Sequence, residues 1–220
     1  GKYGTIALRK LNEKAERIVI IDSNPKCQAS EHVERVTLNY EIPSKGSLLV
    51  LGDGISFLSY MLKNGNLPDF VVLTIPGNVM AFFFAHQVMS MGMKVEFDVP
   101  LMLTVEIPDK YLIAKDTKYG TIVVSYAKGH VCMDECIQPE ICPISGERHE
   151  KAILEILKEA VKGDYVRILE SKSLAGGVGG ISGRELLEFY RDVKGIKRGM
   201  HVAVGTACKC HGIVNFMRII

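Results

Sequence analysis

Five of the six cysteines in this chain fall in two short segments, and thiols gathered in this way hold soft metals or exchange electrons. The first segment is Cys132-Met-Asp-Glu-Cys136-Ile-Gln-Pro-Glu-Ile-Cys142-Pro143, and the second is Cys208-Lys-Cys210-His211-Gly212, close to the C-terminus. Asp134, Glu135, Gln138 and Glu140 lie between the first three cysteines, so that segment is too polar to be a core strand. Metal coordination would supply the folding energy it lacks. Three thiols leave a closed site one ligand short, and the second segment is the source of the fourth. Cys132, Cys136 and Cys142 are therefore expected to converge with Cys208, Cys210 or His211. His130 and His149 flank the first segment, where either could be a ligand or a proton donor.

A second set of chemically capable residues is glycine and acid at the ends of apolar runs. Gly1 and Gly4 open a helical stretch, Asp22 ends the run Ile18-Val-Ile-Ile, Gly52-Asp53-Gly54 follows Ser47-Leu-Leu-Val-Leu51, and Pro76-Gly77-Asn78 follows Phe70 to Ile75. Glycine lets the backbone approach a phosphate, and the free N–H groups of a helix N-terminus attract one. A carboxylate beyond a strand end can accept hydrogen bonds from a ribose diol.

The elements that would position these residues alternate. A helix with Ile6, Ala7, Leu8 and Leu11 inward leads to the strand ending at Asp22. The strand 47–51 leads to a helix over Ile55 to Leu62, and the strand Phe70 to Ile75 to a helix over Val79 to Met91, with a fourth strand over Lys94 to Val99. That rhythm indicates parallel βαβ units. Glycine turn, helix, buried strand and acidic tip, in that order, resemble the Rossmann dinucleotide fingerprint G-x-G-x-x-G entered at its second glycine. The strand–Gly-Asp–helix and strand–Pro–helix elements resemble the nucleotide-binding domains of potassium-uptake regulators and several dehydrogenases. The resemblance covers residues 1–100. It implies NAD bound by Gly1, Gly4, Asp22, Gly52, Asp53, Pro76, Gly77 and Asn78. Asp22 would repel a 2′-phosphate, while Lys26 nearby keeps NADP open. The fingerprint's first glycine and first strand would lie upstream of Gly1.

Residues 101–220 lose that rhythm. Thr104 to Ile107, Tyr111 to Ala114 and Thr121 to Tyr126 read as strands, Glu147 to Val161 as a helix, and Tyr165 to Leu169 as a strand. Gly176 to Gly183 reads as a mobile glycine-rich loop before a helix over Arg184 to Val193, able to cradle an anion or close as a lid. Apolar strands bracket the second cysteine segment. Zinc ribbons favour C-x2-C pairs, whereas the spacing here is C-x3-C-x5-C with a distant C-x-C-H. Cys142-Pro143 resembles the Cys-Pro that closes ferredoxin cluster motifs, which favours an iron–sulfur cluster narrowly over zinc. His86, on the apolar helix, reads as a core residue.

Composition sets the outer limits. Charged residues are 24% with a formal net charge of +2, so bulk charge makes no case for nucleic acid or an anionic membrane. The longest apolar stretch, Phe70 to Ala85, is broken by Pro76, Gly77 and Asn78 and is too short to span a bilayer. No charged-then-apolar leader is visible, so a cytoplasmic protein is expected, in which cysteines serve as thiols or ligands. The fold class read from the sequence is α/β: a Rossmann-like parallel sheet in residues 1–100 and a second, smaller α+β domain in residues 101–220. The function read from it is an NAD(P)-binding protein, leaning to an oxidoreductase with a metal or thiol site acting on a small-molecule substrate, and self-association stays open. The alternatives are a non-catalytic nucleotide-sensing regulator, or a metal- or sulfur-handling protein with a degenerate nucleotide site.

Overall fold

Side-chain caps start the main helices at the turn residues. Asp53 accepts the Ser56 N–H ahead of α2 (Gly54–Lys63), Asn78 accepts the Ala81 N–H ahead of α3 (Val79–Ser90), and Ser182 accepts the Glu185 N–H ahead of α6 (Gly183–Val193). Each satisfies one of the donors that a helix N-terminus leaves free. The remaining helices are α1 (Lys2–Leu11), the short α4 (Val99–Leu103) and α5 (Ile153–Ala160). The computed structural model describes residues 1–220, a mixed α/β protein with three separate sheets.

The first sheet has three parallel strands in the order β1 (Arg17–Asp22), β3 (Gly46–Leu51) and β2 (Arg35–Thr37). Leu48, Leu49 and Val50 of the central strand are fully buried, as a strand covered on both faces requires. The parallel sheet stops there. The expected third strand is only β4 (Phe70–Val71), and it pairs antiparallel with β10 (Val178–Ser182), which in turn pairs with β9 (Lys172–Ala175). The expected fourth strand is β5 (Val95–Phe97), antiparallel to β12 (His211–Ile219). A strand's apolar pattern shows that it is buried but not which edge it joins, and the Rossmann-like sheet is corrected on that ground.

The third sheet carries most of the molecule. Its path is β6 (Leu112–Asp116), β7 (Thr121–Ser125), β12, β11 (His201–Ala207), β8 (Tyr165–Glu170), with β5 alongside the far end of β12. Only β11 and β8 run parallel. Two cores sit on its two faces. Val202 and Val204 pack with Met80, Phe83 and Phe84 of α3 and Leu186 and Phe189 of α6. Ala203, Val214 and Phe216 pack with Ile153 and Leu157 of α5 and with Met102, Tyr111 and Tyr126. Burying a side chain of this size contributes about 1.5–3 kcal/mol, so α3 is anchored to the later sheet. The change of rhythm at residue 100 thus does not coincide with a break in packing: α3 and β5 both join elements from the C-terminal half. No helix is long and apolar enough to cross a membrane.

Three further elements differ from expectation. Residues 104–107 form no strand, and α5 begins at Ile153 instead of Glu147 because residues 140–149 fold back on themselves. The glycine-rich stretch is the turn and second strand of a β-hairpin, β9–β10, not a free loop. Its glycines admit neighbouring backbone. A Cβ on Gly183 would stand 1.9 Å from the Pro68 carbonyl oxygen, and one on Gly177, at φ +72°, 1.8 Å from that of Asp134. His86 is exposed on α3, beside Gln87, and not in the core.

Candidate functional site

The two cysteine segments approach each other where Lys209 reaches the Gln138 carbonyl and Cys210 packs against His149. Residues 140–149 make a small turn: Cys142 N–H donates to Glu147, Gly146 N–H to Cys142, Ile141 bridges Arg148, and His149 N–H donates to the Glu140 carbonyl at 2.7 Å. Cys142 and His149 are thereby held on one short hairpin. Cys208, Lys209 and Cys210 form the turn between β11 and β12. The first N–H groups of α5 dock on it, Ile153 donating to Lys209 O and Leu154 to Cys208 O. Lys209 reaches back to the Gln138 carbonyl at 3.4 Å, and Tyr126 N–H donates to Cys210 O at 3.0 Å.

Two of the sulfurs lie against imidazole rings. Cys210 Sγ lies 3.6 Å from His149 Nε2, and Cys208 Sγ 3.9 Å from His211 Nδ1. Burial pushes the Cys210 thiol up to about 12, reinforced by the nearby thiols of Cys208, Cys136, Cys142 and Cys132. Burial and the Cys136 thiol likewise raise Cys132. Burial opposes ionisation of Cys142, but the Ser145 hydroxyl and the Ser145 and Ile144 N–H groups outweigh it and hold the thiol below its ordinary value. Burial lowers both His149 and His211, which favours the neutral form of each imidazole. Main-chain donors also point at sulfur: Gln138 N–H at Cys136, and the Cys210 and His211 N–H groups at Cys208, each at 3.4 Å. All six cysteines are free thiols, and no three His, Cys, Asp or Glu side chains stand close enough together to hold a metal ion.

What holds the first segment is not apolar packing. Val131 is 90% and Ile137 76% exposed, and Met133 and Ile141 are also turned outward. The clamp comes from elsewhere. Gly177 N–H donates to Cys136 O at 3.0 Å, Lys2 of α1 pairs with Asp134 at 3.0 Å, and Lys10 meets both Glu135 at 3.1 Å and the Gly176 carbonyl at 2.6 Å. His149, which the sequence marks beside the first segment as a possible ligand or proton donor, packs against Cys210.

The expected nucleotide residues gather only in part. Gly1 N lies 3.7 Å from Asp22 Oδ2, and Gly52 N–H donates to Asp22 O at 3.1 Å. Gly4 approaches Thr74. Asp22 Oδ1 accepts the Asn24 N–H, closing a local turn, and Asp53 is occupied as the α2 cap. Asn78 is 2% exposed and donates to the Val204 carbonyl at 2.9 Å while capping α3. Pro76 precedes that cap on the surface, and Gly77 lines a separate cavity of about 140 Å³ with Leu73, Gly179, Gly180 and Thr206.

Comparison with known proteins places the chain. The family model AF_1314_C, described as the C-terminal domain of an uncharacterized protein, matches residues 79–220, and AF_1314_N, the N-terminal domain, matches residues 1–77. The chain belongs to this two-domain family. A protein of Archaeoglobus fulgidus, described as uncharacterized, is 29% identical over 218 residues, spanning 99% of this chain and 96% of the relative. No solved structure matches. Neither family model is a Rossmann or nicotinamide-nucleotide family, which together with the three-stranded parallel sheet corrects the resemblance read from Gly1, Gly4 and Asp22. The models divide the chain next to Asn78, where α3 turns into the core of the later sheet.

Proposed function

We propose that the chain is a metal–thiolate protein whose centre is built from Cys132, Cys136, Cys142, Cys208 and Cys210, with zinc and an iron–sulfur cluster as the two candidate occupants. The observation that carries this reading is the meeting of two cysteine segments that are far apart in sequence, with backbone N–H groups aimed at the Cys136 and Cys208 sulfurs. Thiols crowded together in a half-buried space oppose one another's ionisation, and a cation reverses that opposition. A polar segment with its apolar side chains outward also gains from coordination the folding energy that packing does not supply. A nicotinamide nucleotide has no place in this reading, because Asp22, Asp53 and Asn78 spend their polar atoms on turns and caps.

The test is metal analysis with a visible spectrum on anaerobically purified protein, followed by chelation and hydrogen exchange. About one zinc or one cluster per chain is expected. Removing it should speed exchange in residues 131–149 and in the 208–211 turn while leaving α3 protected. A chain that arrives without metal, takes up neither zinc nor iron, and exchanges identically with and without chelator would sink the proposal.

A further inference from the structure

We propose that the open edge of β8 is a docking site for an extended segment of a partner protein in which acidic and apolar residues alternate. β8 ends the path of the third sheet, with β11 on one side and no strand on the other. In the register of that pair the Ser171 N–H turns inward to Ala207 O, while the Glu170 N–H turns outward to the Glu185 carboxylate at 3.0 Å. Main-chain groups alternate in direction along a strand, so Val166 and Ile168 also turn theirs outward. Glu185 stands in for the carbonyl of an absent neighbour at Glu170, and nothing does so at Val166 or Ile168.

A groove of about 560 Å³ runs along this edge between α5 and α6, and its two walls differ. Val166 and Ile168 belong to the α5 side, where Val161 joins them in one apolar core. Arg167 belongs to the α6 side, held by Glu188 at 3.3 Å, and its Nε is buried without an acceptor. Lys158, Lys172 and Arg184 also line the groove, and none of the three is in an ion pair. Against them stands one carboxylate not already engaged, that of Glu170. An added strand alternates its side chains between the two walls. Its apolar residues would lie by Val161, Val166 and Ile168, and its acidic ones by Arg167 and Arg184. Main-chain bonds supply affinity in such strand addition, and the pockets for alternate side chains supply specificity. A second copy of the chain brings the same excess of cations to the edge, which opposes self-pairing. Charges on an edge strand also serve to discourage pairing of any kind, and the experiment separates that role from docking.

The experiment titrates the full chain into fluorescein-labelled, end-capped peptides of about six residues, the length of an ordinary strand. One alternates glutamate and valine, one alternates lysine and valine, and one has the same glutamates and valines in two blocks. Fluorescence polarisation reads affinity, and amide exchange by NMR reads the place. The alternating acidic peptide is expected to bind, more weakly as salt rises, and to slow exchange at Val166 and Ile168 while leaving Arg167 unchanged. Val166→Pro removes one outward donor and keeps the bonds to β11, so affinity should fall about 10-fold. Arg184→Glu, on the exposed side of α6, should weaken the acidic peptide and strengthen the lysine one, and it decides the matter if V166P does not fold. Absence of binding, equal binding of the three peptides, protection away from β8, or affinities unmoved by both variants would each overturn the proposal. So would a dimer in which Val166 and Ile168 are already protected, since a second copy then occupies the edge.

Discussion

Two regions of this molecule gather chemically capable side chains at the ends of strands, and they end differently. At the tips of β1 and β3, Gly1, Asp22, Gly52 and Asp53 come together, yet each carboxylate accepts an N–H group two or three residues away. At the turn between β11 and β12, Cys210 stands against His149, and N–H groups point at the Cys136 and Cys208 sulfurs. The N–H contacts are equally local in the two regions. On a carboxylate they close a turn or a helix cap, whereas a thiol that accepts one can still ionise and take a cation. Composition at a strand end is thus a poor guide to function, and the chemistry of the group that the local contact engages is a better one.

The largest effect that would sharpen this contrast is expected from Gly177→Ala. The new Cβ would overlap the Asp134 carbonyl, and φ +72° is unfavourable for alanine, so roughly 3–4 kcal/mol should be lost or the cysteine segment displaced. Urea denaturation reads the first outcome, and faster alkylation of Cys132 and Cys136 reads the second. A variant with wild-type stability and wild-type thiol reactivity would show that the hairpin does not hold the segment.

Asn78→Ala should cost roughly 2–3 kcal/mol, because α3 loses its cap and the buried Val204 carbonyl loses its donor. Metal uptake should be unaffected. If instead stability held and a nucleotide affinity disappeared, Asn78 would belong to a site and not to the core.

The smallest effect concerns Asp53. The Ser56 N–H holds its carboxyl below the usual range. A depressed carboxyl stabilises the fold above its unfolded value, near 3.9, and that contribution fades as the pH falls through the folded value. Asp53→Ala should therefore cost about 1 kcal/mol at pH 7 and less in acid, while Asp53→Asn keeps a cap that does not titrate. Thermal unfolding at pH 7 and pH 3 measures both. Equal losses for Asp53→Ala at the two pH values would remove the charge from the account.

The local features of the fold were legible in the residues. Asp53, Asn78 and Ser182 mark helix starts through their own side chains, and the apolar runs of β1, β3, β7, β8, β11 and β12 each became strands. The polar filling between Cys132, Cys136 and Cys142 also marked the segment as one that apolar packing could not hold. Pairing was not legible. Phe70–Val71 and Val95–Phe97 look alike as apolar strands whether they extend a parallel sheet or join β10 and β12 antiparallel, since burial leaves the same period in either case. Nor could glycines 177–183 announce a hairpin, for the reason they are glycine lies in the Asp134 and Pro68 carbonyls that press on them from distant parts of the chain. The surroundings of His149 fall under the same limit. Its residue type and its place beside the first cysteines were visible, but the Pro139 carbonyl that fixes its tautomer and the Cys210 sulfur it faces are brought to it only by the turn at 140–149 and the β11–β12 connection. Caps and periodicity are properties of neighbours along the chain, whereas strand partners and ligand geometry are set by contacts between segments that the sequence alone does not align.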